Sequence, residues 1–288
     1  MEVTFWGVRG SIPAPGPGTV RYGGNTACVS VRTRHGKLLV LDCGTGARSL
    51  GLSLLADGAT DGFATGRGEA AILLSHTHWD HIQGFPFFSP LYVAGNAFQI
   101  YGPAQSSALL EGILEGQMAP QYFPVQTLKN MGARIEITAV RAGVPFDVLG
   151  CTVTAVTNPH GRVGAMAFRI DDADRSVVYA SDAGYGPGGP SREAAALYHG
   201  ADLLIHDSTY TPEDRARYPG RGLASVTEAV SAAIHAGARR VALFHYDQDY
   251  TDADIDIMVE RGRRGIAMTA GYVEPEVVAA SEGLTLQV

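Results

Sequence analysis

The apolar run Ala70–Leu74 ends at Ser75, and within the next six residues the chain places His76, His78, Asp80 and His81. Three imidazoles and a carboxylate at the end of a strand-like run constrain the fold more than any other feature of this sequence. Loops at strand ends are where sites are built. The spacing lets a bent loop turn two ligand sets toward two neighbouring metals. A pair of imidazoles cannot close a zinc site, because three or four ligands are needed. The chain must therefore bring further ligands from other strand ends. They are found downstream: His160 follows the run Cys151–Thr157, Asp182 ends Ser176–Asp182, and His245 ends Arg240–His245. Any one of these alone reads as a hydrogen-bonded loop residue. A random scatter would not put each of them at the end of an apolar run.

Those runs belong to a longer series. Strand-like segments are expected at residues 2–8, 27–33, 37–44, 70–76, 98–102, 133–140, 151–157, 165–171, 176–182, 202–207 and 240–246. Helical patterns are expected at 46–56, 104–116, 191–200, 225–237 and 252–264. Strands fill the early and middle parts, and strand and helix alternate near the end. This pattern predicts an α/β layered architecture. With no internal repeat, low-complexity tail or long linker, residues 1–288 read as one domain.

Composition excludes several classes. A 288-residue chain that is 45% hydrophobic can bury a large core. No run of about 18 apolar residues exists to span a bilayer, and the start, MEVTFWGVRG, lacks the form of a signal peptide. The expected setting is the cytoplasm, without membrane partners. Cys28, Cys43 and Cys151 are widely spaced in apolar runs, which predicts core packing and no disulfide framework. A net charge of −7 with scattered basic residues disfavours an extended nucleic-acid track, although a short electropositive pocket is allowed.

The HTHWDH cluster, followed in order by His160, Asp182 and His245, resembles the metallo-β-lactamase superfamily of binuclear metallohydrolases. The resemblance implies an αββα sandwich with the metals at one edge of the sheets. It implies His76, His78 and His160 on one metal, Asp80, His81 and His245 on the other, and Asp182 bridging. It also implies that Asp42 braces the ligand loop from behind. The segments Phe5–Pro17, Arg21–Val31, Leu41–Gly51 and Leu203–Thr211 are similar to a branch allied to ribonuclease Z and to the phosphodiesterase of phosphonate breakdown, with class II cyclic-nucleotide phosphodiesterases nearby.

Two divalent ions about 3.5–4 Å apart would lower the pKa of a shared water and brace a phosphoryl oxygen during displacement by the bridging hydroxide. Asp80 and Asp182 are the carboxylates that argue for two ions. Imidazole and carboxylate ligands suit zinc, with manganese or iron as competitors. The expected activity is a phosphodiesterase acting on a small or nucleotide-like diester. The alternatives are cleavage of a non-phosphate ester, lactone or thioester by the same hydroxide, and a metal-bound ligand-binding module without turnover.

One departure from the branch stands out. Where it carries a histidine that contacts phosphate and protonates the leaving oxygen, the segment here reads GRGLAS, with Ala224 at that place. Alanine neither donates a proton nor binds an anion. His206 and Asp207, at another strand end, are the candidate substitutes, against a structural reading for His206. Arg221 is a candidate anion contact, against a simply solvated arginine. His35, His199 and His235 lie in a turn or near helix ends and are assigned no chemistry. The stretch Phe85–Tyr92 reads as core and subunit contact, allowing a homodimer, or as an aromatic wall for substrate.

Overall fold

The computed structural model describes residues 1–104, 106–124, 127–266 and 274–288. Its strands are β1 (Glu2–Gly7), β2 (Cys28–Arg32), β3 (Leu38–Leu41), β4 (Glu69–Leu73), β5 (Ala97–Gly102), β6 (Arg134–Ala139) and β7 (Phe146–Val148). They continue with β8 (Cys151–Asn158), β9 (Ala165–Asp172), β10 (Arg175–Ala180), β11 (Leu203–Asp207), β12 (Arg240–Phe244), β13 (Glu276–Ala279) and β14 (Thr285–Gln287). The helices are α1 (Gly46–Leu55), α2 (Trp79–Ile82), α3 (Ser107–Gly116), α4 (Arg192–Tyr198), α5 (Pro212–Arg217), α6 (Val226–Ala236) and α7 (Asp252–Ile266).

The strands form two seven-stranded sheets, ordered β14-β1-β2-β3-β4-β5-β6 and β13-β12-β11-β10-β9-β8-β7. Alternation sorts the side chains into layers. On β3, Leu39 and Leu41 face the core between the sheets, whereas Leu38 and Val40 face an outer layer with Leu50 of α1, Phe63, Phe85, Phe88 and Leu110 of α3. β4 divides in the same way, with Ala71 and Leu73 inward and Ala70 and Ile72 outward. β3 is apolar throughout, and β4 is apolar after Glu69, because both faces are covered there, as buried parallel strands require. On the second sheet, α4 and α6 pack their buried faces, including Ala194, Leu197, Val230 and Ala233, into the core. This is the αββα sandwich. All three cysteines are free and buried, as their apolar settings predict.

Strand direction positions the site. β3 and β4 run parallel in the first sheet, and β10, β11 and β12 run parallel in the second. β8 and β10 are each antiparallel to β9, so β8 runs with β10. The segments that follow β4, β8, β10 and β12 are those that carry His76 to His81, His160, Asp182 and His245. Ligands of open α/β sheets gather at carboxyl ends for this reason.

The expected helices and strands are present, except that Gln105, inside the segment expected to be helical over 104–116, lies outside the described residues. β7, β13 and β14 were not expected, and each forms the edge of a sheet. Within Phe85–Tyr92, Phe85, Phe88 and Leu91 are buried core, and Phe87 is exposed. No helix among the described residues is long and apolar enough to cross a membrane.

Candidate metal centre

The loop after β4 bends back at Ser75 because a carboxylate waits for it. Asp42, just past β3, accepts the Ser75 N–H at 2.6 Å through Oδ1, and at Oδ2 accepts the Ser75 hydroxyl, the Tyr179 hydroxyl and His81 Nδ1, each at 2.7 Å. Asp42 is fully buried, and Tyr179 of β10 reaches it from the opposite sheet. The bracing expected of Asp42 is thus a buried network whose donors come from both sheets.

The seven expected ligand residues converge. His78 Nδ1 lies 2.8 Å from His76 Nε2 and 3.0 Å from His160 Nε2. Oδ2 of Asp80 lies 3.3 Å from both His81 Nε2 and His245 Nε2. Asp182 sits between these groups: Oδ1 is 3.4 Å from His160 Nε2, and Oδ2 is 3.1 Å from His81 Nε2 and 3.3 Å from His245 Nε2. His76, His78 and His160 form one compact donor set and Asp80, His81 and His245 another, each within 4.8 Å. Six of the seven side chains are buried, and His78 is exposed.

The outer ring nitrogens show what the inner ones can do. His81 Nδ1 donates to Asp42, His160 Nδ1 donates to the Gly222 carbonyl at 3.0 Å, and His245 Nδ1 lies 3.1 Å from the Thr209 hydroxyl oxygen. With one ring hydrogen used outside, each Nε2 faces the centre, where it offers a lone pair once its own proton gives way to a cation. The carboxylate oxygens opposite present lone pairs as well. His81 Nε2 is buried without a hydrogen-bond partner although two carboxylates stand beside it. Lone pairs held this close need positive charge between them, and the donor set fits divalent cations.

Electrostatics agree. Burial opposes charge on His245, but Asp182 and a hydrogen bond with Asp80 outweigh it and push the imidazole up to about 9. Burial likewise opposes ionisation of Asp182, yet His245 and His81 hold its carboxyl well below the usual range. His76, where burial prevails, is pushed well below the usual imidazole range.

The backbone is bent to reach this arrangement. Asp42, Asp182 and His245 have φ of 57°, 52° and 63°. A left-handed residue at a strand end turns the chain sharply, and non-glycine residues rarely adopt it.

Two residues that the sequence reading missed close the site from the N-terminal side. The Ser11 N–H donates to Asp80 Oδ2 at 2.7 Å, and a Cβ on Gly10 would lie 2.3 Å from the His245 ring. Gly10→Ala is therefore expected to displace that imidazole and to lower metal affinity by about 10- to 100-fold, the range for disturbing a ligand's support. Titration with a chelator at matched folding checks this, and wild-type affinity would show that the loop yields instead. The glycine-rich Phe5–Pro17 segment was the available signal, but no pattern in it points at a metal.

The two candidate proton donors, His206 and Asp207, are both wholly buried. His206 is wholly buried away from the donor sets. Its Nδ1 donates to the Asp207 carbonyl, and its Nε2 meets the Tyr185 hydroxyl at 2.7 Å. Burial pushes it down to about 4. We assign it no proton transfer. Asp207 is a brace. Its Oδ2 accepts the Ala183 and Ala224 N–H groups, both at 3.0 Å, and its Oδ1 accepts from the Thr209 backbone and hydroxyl. Asp207 thus positions the neighbours of Asp182 and His245. Ala224 is fully enclosed, so no larger side chain fits there without displacement; the adjacent Leu223 keeps 6% exposure. Arg221 is exposed, with its guanidinium 4.6 Å from the centre of the Tyr218 ring.

Comparison with known proteins agrees with this geometry. Residues 38–246 match the family model described as beta-lactamase superfamily domain. Among curated relatives, a ribonuclease Z of Haloarcula marismortui is 24% identical, covering 100% of this chain and 97% of its own length. A ribonuclease Z of Brevibacillus brevis is 25% identical, covering 90% and 89%. Among solved structures, the metallo-beta-lactamase fold protein YhfI from Bacillus subtilis superposes with a TM-score of 0.69 at 21% identity, covering 99% of this chain and 98% of the other. A diphosphatase from the PhnP family gives 0.66 at 18% identity, covering 99% and 96%. The family match spans most of the chain and contains all seven converging residues, and the chain belongs to the beta-lactamase superfamily, in its metallo-β-lactamase fold.

Proposed function

We propose that this protein is a binuclear metal-dependent phosphodiesterase acting on a small or nucleotide-like diester. The observation that carries the reading is the division of Asp182, with Oδ1 beside His160 of one donor set and Oδ2 beside His81 and His245 of the other. His76, His78 and His160 would hold one divalent ion, Asp80, His81 and His245 the other, and Asp182 both. Imidazole with carboxylate favours zinc. Once bound, the ions supply an activated water and positive charge for a phosphoryl transition state.

The chain's own groups prepare that chemistry. Asp42, Gly222 and Thr209 engage the outer ring nitrogens of His81, His160 and His245, which orients each ring with Nε2 toward the centre. Ser11 fixes the Asp80 carboxylate. Because the site draws on both sheets, the chain acts as one unit. The ribonuclease Z relatives and the PhnP-family diphosphatase support phosphate chemistry over lactone or thioester cleavage.

Neither Leu223 nor Ala224 can protonate a leaving oxygen, and His206 is sealed away. Activated aryl diesters, which need no proton, are therefore expected to be cleaved faster than alkyl diesters by about 10²–10⁴-fold, the usual worth of general acid help. Parallel assays on aryl and alkyl phosphodiesters, a lactone and a thioester, at defined metal loading, test this. Turnover of the lactone or thioester without any diester would replace the reading.

Metal analysis gives a separate check. Close to two ions per chain are expected, with less in His78→Ala and no change in the distant His235→Ala. A ceiling of one ion after zinc or manganese incubation would overturn the binuclear centre.

A further inference from the structure

A cavity of about 270 Å³ is walled by Tyr210, Tyr218, Arg221, Asp247 and Tyr250. The segments that orient two of the ligand histidines also build it. Arg221 immediately precedes Gly222, whose carbonyl holds the His160 proton. Tyr210 follows Thr209, which contacts His245 Nδ1, and the Asp247 N–H donates to the Thr209 carbonyl at 3.3 Å.

Its chemistry is aromatic on one side and acidic on the other. Arg221 Nη1 donates to the Tyr210 hydroxyl at 3.2 Å while the guanidinium lies on the Tyr218 ring. The Tyr210 and Tyr218 rings are 5.7 Å apart and tilted by 37°. Tyr218 remains 43% exposed, so a planar surface of the cavity faces solvent. Asp247 is buried, and its Oδ1 accepts the Asp249 N–H at 2.9 Å. Its Oδ2 has no hydrogen-bond partner among the described residues. Asp214 is already engaged by the Tyr250 hydroxyl at 2.6 Å. Three carboxylates, of Asp214, Asp247 and Asp249, line the cavity against one guanidinium, which disfavours a second phosphate.

Building on the phosphodiesterase reading, we infer that this cavity seats the nucleobase of a nucleoside phosphodiester, with the ring against Tyr218 and Arg221 and an N–H edge on Asp247. Unstacked bases are held on aromatic rings and guanidinium planes. A carboxylate accepts only, so it selects an edge rich in donors. Guanine, with N1–H beside its amino group, fits that edge better than uracil.

Three esters with one leaving group test the inference: the 4-nitrophenyl esters of guanosine 5′-phosphate, uridine 5′-phosphate and methyl phosphate. Base stacking predicts kcat/KM for the guanosine ester roughly 5- to 150-fold above the methyl ester. Tyr218→Ala should collapse that ratio toward one, and Tyr218→Phe should keep it. Asp247→Asn should erase the preference for guanosine over uridine. Equal kcat/KM for all three esters, or a ratio indifferent to Tyr218→Ala, overturns the inference. If no diester is cleaved, the phosphodiesterase reading fails and calorimetry of the metal-loaded protein decides the cavity. Guanosine 5′-phosphate binding more tightly than methyl phosphate, in a Tyr218-dependent way, sustains it, and equal affinities overturn it.

Discussion

Asp182→Asn is expected to lower kcat by at least about 100-fold while leaving the fold intact. The carboxylate stands between two donor sets, with one oxygen toward His160 and the other toward His81 and His245. An amide has one acceptor oxygen and no charge, so it offsets the positive charge gathered there far less well. Its NH₂ would also aim hydrogens at one of the two groups. Side-chain shape is retained, and asparagine tolerates the left-handed backbone found at this position. Folding should therefore survive, as circular dichroism and thermal melting would show. Metal content should fall below two ions per chain. Wild-type turnover in a folded, metal-loaded variant would remove Asp182 from the reaction.

Asp42→Ala is expected to strike stability and metal binding together. The change strips the Ser75 N–H, the Ser75 hydroxyl, the Tyr179 hydroxyl and His81 Nδ1 of one shared acceptor. Each buried polar group left unpaired costs on the order of 1–3 kcal/mol before relaxation. Alanine at a φ of 57° adds strain that aspartate tolerates better. A loss of about 3–5 kcal/mol follows, since the four groups share one cavity and their costs do not add fully. Denaturant unfolding would measure it, and a loss below about 1 kcal/mol would show that water replaces the carboxylate. Metal affinity should fall by about 10- to 100-fold because the His81 ring loses its anchor.

Much of this architecture was legible in the sequence because the physics was local. β3, β4, β10 and β12 read clearly as apolar runs because their faces are buried. β13 and β14 lie at sheet edges, where burial is partial and the pattern weakens. The helix α5 has no buried residue, which leaves no apolar stripe to read. The ligands were legible because each ends a run. Ser11 and Gly10 were not, since a backbone N–H and a missing Cβ act through tertiary proximity alone. The surroundings of His206 were not legible for a related reason. A strand end predicts exposure at the rim, but Tyr185 caps this one and turns the histidine into a buried hydrogen-bonding link.

The contact of His245 with Asp80 joins groups 165 residues apart in the chain. An ion held between them would tie the two sheets as a removable cross-link does. Closing so long a loop removes much freedom from the unfolded chain, in the manner of a disulfide, but reversibly. Chelation would then act on the whole sandwich as well as on the chemistry, loosening the docking of one sheet on the other. Loss of metal and susceptibility to proteases would rise together, coupling the lifetime of the protein to the supply of its ions.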